Sequence, residues 1–326
     1  MSSGFAEVFN TADFGAFEAG LSQWLGSHRS HLRRGADAFH ASCHAARVGT
    51  LQLLLLRGRG ELELDRTQLG CGLLWIPLRG RSEERINGRF VQAEPGQALL
   101  FRPGDHLLGL TDTEVTGLSV LLPAPLLLET DSAEADTRSR RRHPPESLLD
   151  SRKPADGALI QATRRLAQAA ARRDPTAAIA AAAVLDQLAE SLPRLGARGV
   201  SDRRADSVAV RRRWELVVEA SRWMEAHLGE GFRVADLAAT LQTPVRTLQH
   251  SFAQELGRSP LAHARLLRLH ALRRRLQQAQ GRQEPVAIAA QMTACGLPAC
   301  GLPACGETAR GYRTLFGELP RQTLAG

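Results

Sequence analysis

The sequence predicts an α+β protein: a β-rich amino-terminal domain, a helical connector and a basic, all-helical carboxy-terminal domain. Three observations predict it. Short apolar stretches alternate with turn residues from Val48 to Leu122, an alanine-rich helical run spans Gly157 to Leu195, and the pattern from Trp214 onward is helical throughout. At roughly 150 residues per domain the chain holds about two domains, each long enough to bury a core. Its 43% hydrophobic share excludes wholesale disorder.

The β region reads as LQLLLLRGRGELELD, LLWIPLRG, INGRFVQAEPGQALLFRPGD and EVTGLSVLLP. Glu61-Leu62-Glu63-Leu64 alternates with period two, and Asn87-Gly88 is a hairpin signal between strands. Strands of this size and spacing suit a small sandwich or barrel. Residues 1–128 are therefore expected to form the β domain. Residues 129–156 are polar, charged and proline-bearing, and read as a mobile linker. The helical connector, 157–196, breaks at Asp174-Pro175, where the aspartate caps and the proline starts a second helix. Its alanine and leucine faces suit packing within the chain or against a second copy. A basic stretch, 197–211, reads as a further linker before the last domain, 212–326.

Charge separates the domains. Residues 1–210 balance 26 basic against 25 acidic side chains, whereas 211–326 hold 16 against 9. Nearly the whole net charge of +8 thus sits in the last third, as a polyanion-binding module requires. Five cysteines do not form a secreted disulfide framework. The start, MSSGFAEVFNTADF, lacks the features of a signal peptide, and no apolar run is long enough to span a membrane, so the cytoplasm is expected.

The functional signal lies in Phe232 to Leu276. Val234 to Leu241 is a short helix with Leu237, Ala238 and Leu241 inward; Ala238 leaves room for a crossing helix. Gln242-Thr243-Pro244 is a turn in which Thr243 caps and Pro244 takes the first helical position. The next helix points Val245, Leu248 and Phe252 inward and Arg246, Gln249, His250 and Gln254 outward. Two short helices joined this way, the second basic on its free face, form a helix-turn-helix.

The run Leu-Ala, turn, Arg-Thr-Leu-Gln, Phe, Leu-Gly-Arg-Ser-Pro, then Arg268-Leu269 and Leu276, resembles the DNA-binding domain of the AraC/XylS family of bacterial transcription regulators. The segment Ala309-Arg310-Gly311-Tyr312-Arg313-Thr314-Leu315-Phe316-Gly317-Glu318-Leu319-Pro320 resembles the end of that domain's second helix-turn-helix. The resemblance implies an amino-terminal cupin-like β domain for effector binding and dimerisation. It also implies a carboxy-terminal all-α double helix-turn-helix domain, whose units are joined by a long helix at about Leu261 to Gln280. Carried over by position, Thr243, Val245, Arg246, Gln249 and His250 face DNA from the first unit, and Glu307 and Arg310 from the second. Guanidinium suits the O6/N7 edge of guanine, and amide the N6/N7 edge of adenine; Arg246 bound only to phosphate is the other reading. At Pro244 the family usually places a capping serine, which is the chain's departure from the pattern.

Residues 295–305 read CGLPACGLPAC, an exact pentapeptide duplication. With a proline in each copy it lengthens the second turn and threatens to displace its recognition helix. The cysteine spacing does not match zinc ligands, and no histidine follows, so neither a metal nor another cofactor is expected. His106 stands alone after RPGD, while His28, His31, His40 and His44 fall upstream of the expected strands, so no metal enzyme is expected. Trp75, Arg79, Phe101 and Arg102 are candidates to line an effector cavity; the alternative makes the aromatics plain core and the arginines solvated. The sequence thus points to a non-enzymatic, DNA-binding transcription activator responding to a small organic effector. Its expected partners are double-stranded DNA, RNA polymerase and a second copy of itself, with no membrane. Competing readings are a protein whose basic helices hold RNA or a protein partner, and a cupin-type enzyme with a regulatory tail.

Overall fold

The computed structural model describes residues 4–26, 28–34, 39–68, 70–127, 147–201, 205–229, 233–279 and 305–325. The chain divides into two compact units, Met1–Ala205 and Asp206–Gly326.

Among the described residues the first unit is built on twelve strands. They are β1 (Ala6–Thr11), β2 (His28–Arg34), β3 (His40–Val48), β4 (Leu51–Arg59), β5 (Glu61–Thr67) and β6 (Cys71–Arg79), then β7 (Ser82–Ile86), β8 (Arg89–Ala93), β9 (Gln97–Phe101), β10 (His106–Thr111), β11 (Glu114–Pro123) and β12 (Leu148–Asp150). Two antiparallel sheets result, ordered β1-β3-β4-β11-β6-β9-β12 and β2-β5-β10-β7-β8. The two sheets meet across an interior where Trp75 Nε1 on β6 donates to Ser82 Oγ on β7 at 3.1 Å. Arg66 on β5 lies over the Phe101 ring of β9, 5.4 Å from its centroid. The Asn87-Gly88 hairpin forms as expected: both residues adopt positive φ (51° and 85°) and join β7 to β8 directly.

Helix α1 (Phe14–Leu25) starts where Asp13 accepts the Ala16 N–H at 2.7 Å. Its Phe14 and Phe17 cluster with Phe9 and Phe39, with ring centroids 5.4–5.9 Å apart. Helices α2 (Pro154–Arg172) and α3 (Ala177–Ser201) cover the outer face of the larger sheet. Leu51, Leu53, Leu74, Ile76, Leu118 and Val120 from the strands pack there against Leu159, Ile160, Leu166, Val184 and Leu188 from the helices. With Leu54 buried as well as Leu51 and Leu53, the start of β4 is covered on both faces and reads as a leucine run. Between α2 and α3, Asp174 accepts the Thr176 N–H and hydroxyl, both at 2.8 Å; the break falls at Asp174-Pro175 as expected, but α3 starts at Ala177, after the proline and not on it.

Four expectations need correction. Strands begin at Ala6, well before Val48, so His28 and His31 lie on β2 and His40 and His44 on β3. HRSHLRR and HASCHAARV lack apolar alternation, and only pairing with β4 and β5 makes them strands. The 129–156 linker ends early: β12 pairs with β9, and α2 starts at Pro154, while 128–146 lie outside the described residues. The connector is a cover for the sheet rather than a link, because its apolar stripe completes the sheet's core. The 197–211 linker is helical up to Ser201 and again from Ala205, since alanine and arginine are strong helix formers even without an apolar face.

A side chain at Gly117 on β11 would meet the Trp75 ring, its Cβ falling 2.1 Å from Cη2. Gly117→Ala is therefore expected to displace the indole from Ser82 and lower stability by about 1–3 kcal/mol. Chemical denaturation, with tryptophan emission as the probe, measures both effects.

Candidate nucleic-acid interface

In the second unit, α4 (Ala205–Ala226), α5 (Val234–Thr240), α6 (Val245–Leu256) and α7 (Pro260–Gln278) form one core. Val217, Ala220, Met224, Leu237, Ala238, Leu248, Phe252, Ala264 and Leu267 are buried in it. Ala238 is 2% exposed, as a helix crossing requires.

The turn between α5 and α6 is set by backbone hydrogen bonds. Thr243 N–H donates to Ala238 O at 2.9 Å and Gln242 N–H to Ala239 O at 3.0 Å, a Schellman closure. Gln242 occupies the left-handed position, φ 48°, where glycine or asparagine usually sits. Two expected details fail. Thr243 does not cap α6; Pro244 is its N-cap, with extended backbone and no side-chain hydrogen bond. Val245 is not buried but 38% exposed: as the first residue of the helix it lies at the edge of the face that Leu248, Ser251, Phe252 and Glu255 bury. Arg246, Gln249 and His250 are exposed on the opposite side, one contiguous polar strip beside Val245. Arg213 Nε of α4 meets the buried Glu255 carboxylate at 3.1 Å, holding the inner face of α6.

Beyond α7 the described chain resumes with α8 (Cys305–Phe316) and α9 (Pro320–Ala325). Arg310 is exposed on α8; Glu307 lies on the same helix. Residues 296–304 of the duplication lie outside the described residues, and Cys305 opens α8. The α7–α8–α9 contact is polar at its heart. Arg273 Nη1 donates to Glu318 Oε1 at 2.7 Å, and its guanidinium lies 4.6 Å from the Phe316 centroid. Thr323 Oγ1 donates to the same Glu318 oxygen at 2.8 Å and lies 2.6 Å from the Tyr312 hydroxyl. Burial pushes the Tyr312 hydroxyl up to about 12.

The four effector candidates separate. Trp75 and Phe101 face the space between the sheets, 8% and 2% exposed. Arg79 lies elsewhere, in a groove with His40, Arg57, Arg59 and Glu114. Arg102 is half-buried in the loop after β9, where its N–H donates to Asp105 Oδ2 at 2.7 Å. Sequence reasoning missed two interior charges. Arg66 follows Leu62 and Leu64 at period two, and Glu84 follows Ser82 and precedes Ile86 the same way, so both point inward. A Cβ on Gly109 would come within 2.6 Å of the Glu84 carboxylate, so that glycine lets the carboxylate lie against β10. Burial raises Glu84 to about 7, opposed by the Arg66 charge. Among the described residues no three His, Cys, Asp or Glu side chains gather as metal donors.

The AraC-binding-like domain family matches residues 17–195, more than half of the chain. The chain belongs to the AraC family of transcription regulators. That match spans the strands from β2 onward together with α2 and α3. Among solved structures, the AraC-like transcriptional activator CuxR is 17% identical over 84% of this chain and 95% of its own, with a TM-score of 0.45. ToxT from Vibrio cholerae, in a complex with an unsaturated fatty acid, is 9% identical over 85% of this chain and 96% of its own, with a TM-score of 0.37. A probable AraC family regulator from Rhodopseudomonas palustris is 28% identical over 34% of this chain and 94% of its own, with a TM-score of 0.29. No curated protein matches the sequence. Among the described residues no helix is long and apolar enough to cross a membrane.

Two outcomes are expected from this geometry. Pro244→Ser supplies the missing cap oxygen and is expected to stabilise the full chain by about 1 kcal/mol, read from the shift of its thermal midpoint. Glu84 binds its proton more tightly folded than unfolded, so stability is expected to fall as pH rises from the ordinary glutamate range to about 7 and then to level off. Glu84→Gln removes that slope and makes the chain more stable than the parent at pH 8, which urea titrations across pH measure.

Proposed function

We propose that this regulator binds double-stranded DNA through two helix-turn-helix units. The observation that carries the reading is the exposed strip Val245, Arg246, Gln249 and His250 on α6, fixed on a buried Leu248–Phe252 face. A short helix held from behind, with a guanidinium and an amide on its free side, has the shape and donors to read the major groove. Thr243 sits at the entry to that helix, and Glu307 and Arg310 take the equivalent task on α8. The net charge of +7 over 211–326 supplies the phosphate attraction.

The effector, in this reading, is a small organic molecule taken between the two sheets, against Trp75 and Phe101 and beside the inward Arg66 and Glu84. Arg79 lies in the groove with Glu114 instead, and Arg102 in the loop after β9. The protein acts as an activator, with RNA polymerase as partner, and pairs with a second copy. Ile179, 72% exposed on α3, gives that pairing an apolar contact.

The test is Arg246→Ala in the full chain, measured by fluorescence anisotropy against operator and random duplexes. Footprinting around the chain's own gene supplies the operator. The variant is expected to lose about 1–3 kcal/mol of discrimination, and the parent to weaken steeply from low to moderate salt. An equal loss on both duplexes reduces Arg246 to a phosphate contact. Affinity that stays flat with salt removes the DNA-binding reading itself.

A further inference from the structure

The outer face of the larger sheet is only partly covered by α2 and α3. Leu51 and Leu53 on β4 lie beneath the helices, and Arg57 and Arg59 continue the same face of the same strand into the open. Strand register sets what stands beside them. Arg57 pairs with Thr116 on β11, and Thr116 with Arg79 on β6; in the next row His40 on β3 pairs with Arg59, and Arg59 with Glu114. These side chains line a groove of about 310 Å³.

Three guanidiniums, two on β4 and one on β6 across the intervening β11, repel one another, and one carboxylate holds two of them. Glu114 Oε1 lies 3.3 Å from Arg59 Nη2, and its Oε2 lies 3.2 Å from Arg79 Nη2. All three side chains are at least 46% exposed, and long, exposed ion pairs of this kind add little stability. Stability therefore does not account for the convergence. What the arrangement does is bring Arg59 and Arg79, with Arg57 and Thr116 beside them, to the lining of one groove.

We propose that this groove is a binding site for the phosphate group of a small molecule, separate from the space between the sheets. Three arginines against one glutamate leave two positive charges, which matches the charge of about −1.5 to −2 on a phosphate monoester at pH 7. Three oxygens on a tetrahedral phosphate can each take donors from a different guanidinium, two on β4 and one on β6, whereas a planar carboxylate fills only one fork. Thr116 adds a neutral donor at the floor. The proposal does not depend on where the regulator's DNA-reading helices act.

Calorimetric titration of the full-length protein with adenosine monophosphate, inorganic phosphate and benzoate tests it. Saturable binding of adenosine monophosphate is expected, with Arg57→Gln and Arg79→Gln each weakening it tenfold or more. Arg172→Gln, an exposed control on α2, should change nothing. Glu114→Gln is the informative variant: it should tighten the phosphate severalfold, whereas a merely structural glutamate would weaken it on removal. Inorganic phosphate binding as well as the nucleotide assigns the site to free phosphate, and tighter nucleotide binding assigns it to an ester; either upholds the proposal. Benzoate binding equally well overturns it, as does identical binding by the parent and both arginine variants. Arg57→Gln losing affinity for duplex DNA while keeping phosphate affinity also overturns it, by giving the groove to the nucleic acid.

Discussion

Arg273 is buried to within 1% of its surface, yet it carries a full charge. Glu318 and the Phe316 ring supply what water would otherwise give it, and through them α7 is joined to α8 and α9. Removing one partner of such a pair strands the other in a poor solvent, at a cost on the order of 3 kcal/mol. A purely apolar contact would tolerate some sliding along α7. The charged pair does not, because Tyr312, Thr323 and Glu318 must all keep their hydrogen-bond distances together. The other side of α7 meets the α5–α6 core through Ala264 and Leu267. One helix thus packs against both the α5–α6 pair and the α8–α9 pair, which is why most of it is buried, with His263, Arg268 and His270 covered alongside its leucines.

The two units present their polar groups by the same means on different architectures. In the helical unit, a buried apolar face leaves Arg246, Gln249 and His250 no choice but to point outward. In the β unit, period-two alternation sends Arg66 and Glu84 inward and Arg57 and Arg59 outward, with no local signal beyond phase. Burial then divides their chemistry. The inward glutamate is shifted toward neutrality, while the outward Glu114 stays among exposed arginines as their counter-ion.

What could be read from the sequence follows from how local the determinants are. The α5–α6 pair was legible because apolar spacing, a tight turn and the following Gly-Arg-Ser-Pro lie within one short segment. The long helix, expected at about Leu261 to Gln280, spans Pro260–Gln278, with Ser259 as its cap. Val245 shares its helical phase with Phe252, but at the first position of the helix that phase does not bring burial. β2 and β3 were missed because histidines, arginines and alanines become strands there only through partners far along the chain. Arg66 and Glu84 were legible in principle from their phase with Leu62, Leu64 and Ile86, but a charged residue in a charged segment reads first as solvated. The groove arginines needed the register of four strands, which sequence alone does not supply.

Gly117 and Gly109 bear on how the interior can change by mutation. Each leaves just enough room for a larger side chain, Trp75 or Glu84, to lie against its strand between the sheets. Every glycine codon is a single base change from an alanine codon. Point mutation at either position would therefore push one interior group aside without touching that group's own codon. The interior can be reshaped by small steps in the wall, while the helices that carry the polar strip stay unaltered.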